Sequence, residues 1–169
     1  METFVHLLRR HGVATLVDVR SVPGSRRHPH YRRETLAATL AELGFRYVHL
    51  PGLGGLRRPR RDSPNLGWEH PSFRGFADYM QTAAFERALE ELMALARGER
   101  VAVMCAEAVP WRCHRSLIAD ALLVRGVSVE HVLDGERRQE HRLTPWARVV
   151  GTRITYPPPL WGSVGGPTG

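Results

Sequence analysis

The chain has 169 residues, 43% of them hydrophobic, with two cysteines and a formal net charge of +7, which is enough for one compact domain with a real core and too little for two large ones. All 24 basic residues are arginine, and the absence of lysine excludes a Schiff-base mechanism, a pyridoxal-phosphate lysine and a Walker-type phosphate loop. No run approaches the roughly 20 apolar residues of a membrane span, Met1-Glu2-Thr3-Phe4 opens no signal peptide, and two cysteines are too few for a disulfide scaffold, so a soluble cytoplasmic protein with free thiols is expected.

Residues 2 to 11 place Phe4, Leu7, Leu8 and His11 on one helical face, and Gly12 stops the helix. Thr15 to Arg20 reads as a strand whose apolar body ends in the charged pair Asp18 and Arg20, before Ser21 and Pro23-Gly24 turn the chain. The pair serves either as a local salt bridge or as a ligand-binding arginine held by a carboxylate. Arg26, Arg27, Arg32 and Arg33, with His28, His30 and Tyr31, form the densest positive stretch, read as an anion-binding loop or as solvated surface leading into a helix over 34–43. In that helix Leu36, Leu40 and Leu43 face inward and Gly44 is the cap. Phe45 to Leu50 alternates as a strand should, and Pro51-Gly52-Leu53-Gly54-Gly55 ends it. The glycines there let backbone N–H groups approach an anion, although the pattern is not a GxGxxG fingerprint and no cofactor is expected. His49 is read as structural. Arg57 to Arg61, with Pro59, reads as an extended excursion.

Helix returns at Ser72, with Phe73, Phe76, Tyr79 and Met80 on one side, and Thr82 caps a second helix carrying Phe85, Leu89, Leu92 and Met93 up to Gly98. Val101 to Met104 is then a short apolar strand ending in Cys105. A loop through Glu107 and Pro110 leads to a helix that begins near Cys113 or His114, carries Leu117, Ile118, Ala121 and Leu122, and stops at Gly126. Val127 to Leu133 alternates like a strand at the sheet's edge, and Thr144-Pro145 has the cap and first-turn proline of a short helix. The expected architecture is α/β in three layers, a mostly parallel sheet of four to five strands with helices on both faces. Residues 1–150 are expected to form one domain. Residues 151–169 are expected to be a Pro/Gly-rich, partly disordered extension in which Trp161 docks.

Three segments, LVDVRSVPGSRRHPHYRRETL, GFRYVHLPGLGG and VAVMCAEAVPWRCHRSLIADALLVRGVSVEHV, resemble the domain of unknown function 488 family over roughly residues 4 to 150. The resemblance carries no activity. Members of that family begin with a short strand and a Gly-His-Ser-like turn ahead of the first helix, whereas this sequence starts inside the helix. The sheet is thus expected either to lack a strand, through a late start, or to recruit Arg153-Ile154-Thr155-Tyr156 in its place. The order LVDVR followed by strand, cysteine, loop, arginine and helix also resembles rhodanese-like domains, in which a loop cysteine carries sulfur. The loop here is longer and proline-bearing, and Cys105 and Arg112 are one residue further apart than in cysteine phosphatases.

In an open parallel sheet, ligands bind beyond the carboxyl ends of the strands, where helix N-termini offer free N–H groups. The favoured reading is accordingly an enzyme for a small anionic or nucleotide-like ligand. Arg20, Ser21, Gly54, Gly55, Arg115 and Ser116 are its candidate anion-binding residues, and Asp18, Cys105, Glu107 and His114 its candidate catalytic residues. A thiol enzyme using Cys105, activated by Arg112, His114 and Arg115, is the first alternative. A nucleic-acid-binding module using Arg26, Arg27, Arg32, Arg33, Arg57, Arg58, Arg60 and Arg61 is the second. Metal binding by Cys105, Cys113 and His114 fits no standard zinc spacing, and no metal is expected.

Overall fold

The structure, a computed structural model, describes residues 2–21, 29–105 and 113–158. It divides into two compact units: residues 1–54, 87–106 and 132–139, and residues 55–86, 107–131 and 140–169.

The first unit is built on a parallel sheet of β1 (Thr15–Asp18), β2 (Arg46–His49) and β3 (Val101–Met104), in the order β2-β1-β3. Its register sets Asp18 opposite His49 on one side and Met104 on the other, so the three carboxyl ends lie level. All four residues of β1 are buried, as expected for a central parallel strand with both faces covered. Helix α1 (Glu2–Arg10) ends at Gly12, whose φ of +68° a side chain would disfavour. Helix α2 (Arg33–Glu42) presents Leu36 and Leu40 to Leu8, Val13 and Leu16, with Phe4, Tyr31, Phe45 and Tyr47 packed around them. Leu36 and Leu40 are fully buried, and each contributes about 1.5–3 kcal/mol.

The second unit contains α3 (Pro71–Tyr79), the first turn of α4 (Ala83–Gly98) and α5 (Arg115–Leu123). Thr82 caps α4 as its sequence suggests, its hydroxyl oxygen accepting the Phe85 N–H. Phe76, Tyr79 and Phe85 meet edge-on or tilted, and Trp68 packs on Phe73, Trp146 and Tyr156. Short strands complete the chain. β4 (Glu130–Val132) pairs with β5 (Arg138–Glu140), and β6 (Arg148–Val150) pairs antiparallel with β7 (Arg153–Thr155).

Four expectations change. Among the described residues the parallel sheet has three strands rather than four or five. The strand expected over 127–133 shrinks to β4 and joins β5 instead of the parallel sheet. Arg153–Thr155 is a strand, but its partner is β6, so it replaces nothing in the parallel sheet. Thr144-Pro145 starts no helix; the Thr144 hydroxyl and N–H instead both donate to Asp120. Trp161 lies outside the described residues.

Candidate functional site

The charged pair read at the end of β1 is a buried cluster within the first unit. Asp18 is fully buried, and Arg20 is 8% exposed. The backbone N–H of Arg20 donates to Asp18 Oδ1, its Nε donates to both carboxylate oxygens, and its Nη2 donates to Oδ2 at 2.6 Å. The Tyr47 hydroxyl, arriving from β2, donates to the same Oδ2 at 2.6 Å. Burial alone would raise the Asp18 pKa, but the hydrogen bonds from Arg20 and Tyr47 outweigh it and hold the carboxyl below its ordinary value. The Arg20 guanidinium loses to burial and gains more from Asp18, so it is the more firmly cationic. Tyr47, desolvated and bonded to a carboxylate, stays protonated well above the usual phenol range.

Two further contacts aim the guanidinium. Nη2 also donates to the Tyr31 carbonyl at 2.7 Å, and His49 Nε2 lies 2.8 Å from the Arg20 carbonyl oxygen, which fixes the backbone. His49 is therefore structural support here. The hydrogen bonds of the Arg20 guanidinium among the described residues are made through Nε and Nη2. Ser21, next in the chain, packs against Gly54. A Cβ on Gly54 would overlap the Ser21 side chain and come within 2.9 Å of its Cα, so this close approach requires glycine. Cys105 follows Met104, whose carbonyl accepts the Val19 N–H, and thus lies past the same edge. Of the predicted residues, Asp18, Arg20, Ser21, Gly54 and Cys105 all belong to this unit. An open groove of about 580 Å³ in the same unit is lined instead by Arg46, Val48, Glu91, Leu95 and Glu99.

Gly55, His114, Arg115 and Ser116 belong to the second unit. A Cβ on Gly55 would come within 2.6 Å of His114 Nδ1, and the His114 ring stacks at a tilt against Phe76, 4.9 Å between centroids. The start of α5 is already occupied by its own neighbours. Arg115 N–H donates to Cys113 Sγ, and Ser116 donates both its N–H and its hydroxyl to the Cys113 carbonyl. The free helix N–H groups expected there therefore have local acceptors.

Both cysteines are disulfide-bonded, which corrects the expectation of free thiols. A thiolate at Cys105 presupposes reduction. Glu107, Arg26, Arg27 and Arg112 lie outside the described residues. Arg32, Arg33 and Arg58 are exposed, whereas the Arg57 guanidinium sits 3.7 Å from the centre of the Tyr79 ring, and Arg60 pairs with Asp62. Among the described residues no group of three or more His, Cys, Asp or Glu could hold a metal ion. No described helix is long and apolar enough to cross a membrane.

The family described as "Domain of unknown function DUF488" matches residues 1–122. The chain belongs to that family. No curated protein and no solved structure matches the chain. The DUF488 match takes in the whole Asp18–Arg20–Tyr47 cluster and ends at the last buried turn of α5.

A second polar network, which the sequence reading did not find, ties Asp120, inside the matched residues, to residues beyond them. Asp120 of α5 is fully buried and accepts from His141 Nε2 at 2.8 Å, from Thr144 N–H and Oγ1, and from the Tyr156 hydroxyl at 2.8 Å. One signal was available, namely a carboxylate in the apolar run Leu117-Ile118-Ala119-Asp120-Ala121-Leu122. An acidic residue at the centre of a buried helix needs partners from elsewhere in the chain.

Proposed function

We propose that the carboxyl ends of β1 to β3 carry the binding site of an enzyme for a small anionic or nucleotide-like ligand, with Arg20 as its principal contact. The observation that carries this reading is the orientation of Arg20: three of its N–H-bearing positions are tied to Asp18 and Tyr31, and Nη1 has no acceptor among the described residues. A buried ion pair adds little stability over apolar packing of the same volume, so its presence at a strand's carboxyl edge fits a functional role. Asp18 and Tyr47 pre-organise the guanidinium, and less conformational entropy is then lost when an oxyanion binds it. Ser21, packed against Gly54, follows Arg20 in the chain and is the further candidate contact. Cys105 completes the candidate set, and only after reduction.

The reading is tested by calorimetric titration of inorganic phosphate and a nucleoside monophosphate into the full chain and into the Arg20→Lys variant. Lysine keeps the charge and loses the fork, so binding should weaken by at least tenfold, about 1.4 kcal/mol. Unchanged binding by a folded variant would remove Arg20 from the site.

A further inference from the structure

We propose that the outer edge of β6 is a docking site for an extended acidic peptide of a partner protein, which adds a strand to the β6–β7 hairpin and pairs its carboxylates with Arg148 and Arg153. The proposal is independent of the Arg20 site.

The hairpin has one capped edge and one open edge. Its register sets Arg148 opposite Thr155, Val149 opposite Ile154 and Val150 opposite Arg153. Opposed residues of an antiparallel pair alternate between those that exchange both hydrogen bonds and those whose N–H and C=O groups point away from each other. The Ile154 carbonyl accepts from Gln81 Nε2 at 3.1 Å, so it points away from β6. Val149, its opposite number, therefore turns its own N–H and C=O to the outer side of β6. The β7 side is closed further along, where Gly67 N–H donates to the Tyr156 carbonyl and Tyr156 N–H donates to Asn65 Oδ1. Among the described residues, β6 has no strand beside it except β7, and Val149 makes no hydrogen bond outside the hairpin.

The side chains decide what the edge takes. Successive residues of a strand point to opposite faces, and opposed residues of a pair share a face. Val149 shares the face that buries Ile154, whereas Arg148, Val150 and Arg153 share the other face and are all exposed, Val150 by 69%. Neither arginine pairs with a carboxylate among the described residues. A single exposed valine is ordinary on a protein surface. Here it stands next to an unpaired main-chain donor and acceptor and is flanked by two cations.

Charge selects the occupant. An unpaired edge is a template for a further strand, and a cation on it guards against a second copy of the same edge. Two β6 edges brought together would set Arg148 and Arg153 of one chain against those of the other, on molecules that each carry a formal charge of +7. Residues 159–169, which follow β7 closely, contain no acidic side chain. A peptide with carboxylates at alternate positions meets both requirements. Its main chain pairs with Val149, its acidic side chains reach Arg148 and Arg153 on the exposed face, and Val150 is covered between them. A three-residue edge buries little area, as suits a transient partner.

The test is NMR titration of the full ¹⁵N-labelled chain with a capped synthetic peptide of alternating glutamate and valine. In the free chain the Val149 amide should exchange freely with solvent. The peptide should shift its signal saturably and slow its exchange, less so at high salt. A lysine–valine peptide, or the glutamate–valine peptide N-methylated along its pairing edge, should do neither. Arg148→Glu combined with Arg153→Glu should weaken the acidic peptide by roughly tenfold and let the lysine–valine peptide bind. Val149→Pro removes the outward N–H without breaking a bond of the hairpin, and should abolish docking. If that variant does not fold, the charge reversal and the two control peptides decide the matter. A Val149 signal that stays fixed as the acidic peptide is added, or equal binding of the lysine–valine peptide, would overturn the proposal. So would a Val149 amide already protected in the free chain, which would mean that residues 159–169 or a second copy occupies the edge.

Discussion

Tyr47 donates its hydroxyl to Asp18 Oδ2 at 2.6 Å, on the same carboxylate oxygen that Arg20 Nη2 reaches at 2.6 Å. Register brings them together: β1 and β2 pair in parallel with Leu16 opposite Tyr47, and the ring reaches up the sheet to the strand's end. Asp18 is thereby committed to two donors from different parts of the chain. Removing either leaves a buried charge short of a partner, the costly case for polar groups in an interior.

Asp18→Asn should therefore destabilise the protein by about 3–5 kcal/mol, and Tyr47→Phe by about 1.5–3 kcal/mol. Urea denaturation measures both. Equal and negligible effects would mean that the cluster is not formed in solution.

The same cluster sets an acid limb. Folded Asp18 holds its proton less tightly than in the unfolded chain, so the unfolded state binds more protons in between. Its stabilisation is fully present above the unfolded value of 3.8 and is lost as pH falls through the folded one. Urea midpoints measured from pH 5 downward should fall for the wild type, and Asp18→Asn should flatten that part of the slope.

His131 gives a second, separate window. Its folded pKa is lowered, so the unfolded chain takes up its proton first as pH falls from above 6.5. Stability should decline between about pH 7 and the folded value. His131→Gln should remove that decline and leave the Asp18 limb in place.

Helix propensity and packing conflict at Gly75, in the middle of α3. Alanine there gains about 1 kcal/mol of propensity. Its Cβ, however, would overlap the Arg57 carbonyl oxygen and come within 2.7 Å of the carbonyl carbon, and backbone cannot step aside as a side chain can. Gly75→Ala should lower the thermal midpoint; a rise would show that the Arg57 segment does not pack on α3.

Much of the secondary structure was legible because it repeats locally. The 3.6-residue spacing of Phe4, Leu7 and Leu8 or of Leu36 and Leu40, and the unbroken apolar run of β3, each need only a short window. The charged end of β1 was legible for the same reason. Tyr47, His131, His141 and Tyr156 were not, because their partners lie far along the chain: 29 positions separate Tyr47 from Asp18, 21 separate His141 from Asp120, and 36 separate Tyr156 from Asp120. Thr144 misled for a physical reason. Its neighbouring proline suggested a local helix start, whereas its N–H and hydroxyl go to Asp120, 24 positions back along the chain.

Tyr156 also shows why the carboxyl-terminal stretch cannot be treated as a dispensable extension. It is fully buried, its N–H donates to Asn65 Oδ1, and its hydroxyl donates to Asp120. Tyr156→Ala should cost about 3–5 kcal/mol, in the range of large aromatic truncations. Thermal melts check it; an unchanged midpoint would mean that the ring is not buried in solution.

The central claim, that Arg20 presents a held guanidinium edge to an anion, is tested most directly in the wild-type chain. Selective ¹⁵N-arginine labelling and NMR titration with inorganic phosphate at low ionic strength should shift the Arg20 side-chain signals saturably, with exposed arginines such as Arg33 and Arg58 moving weakly and without saturation. Arg20 signals that stay fixed while phosphate is raised, or that move only as the exposed arginines do, would contradict it.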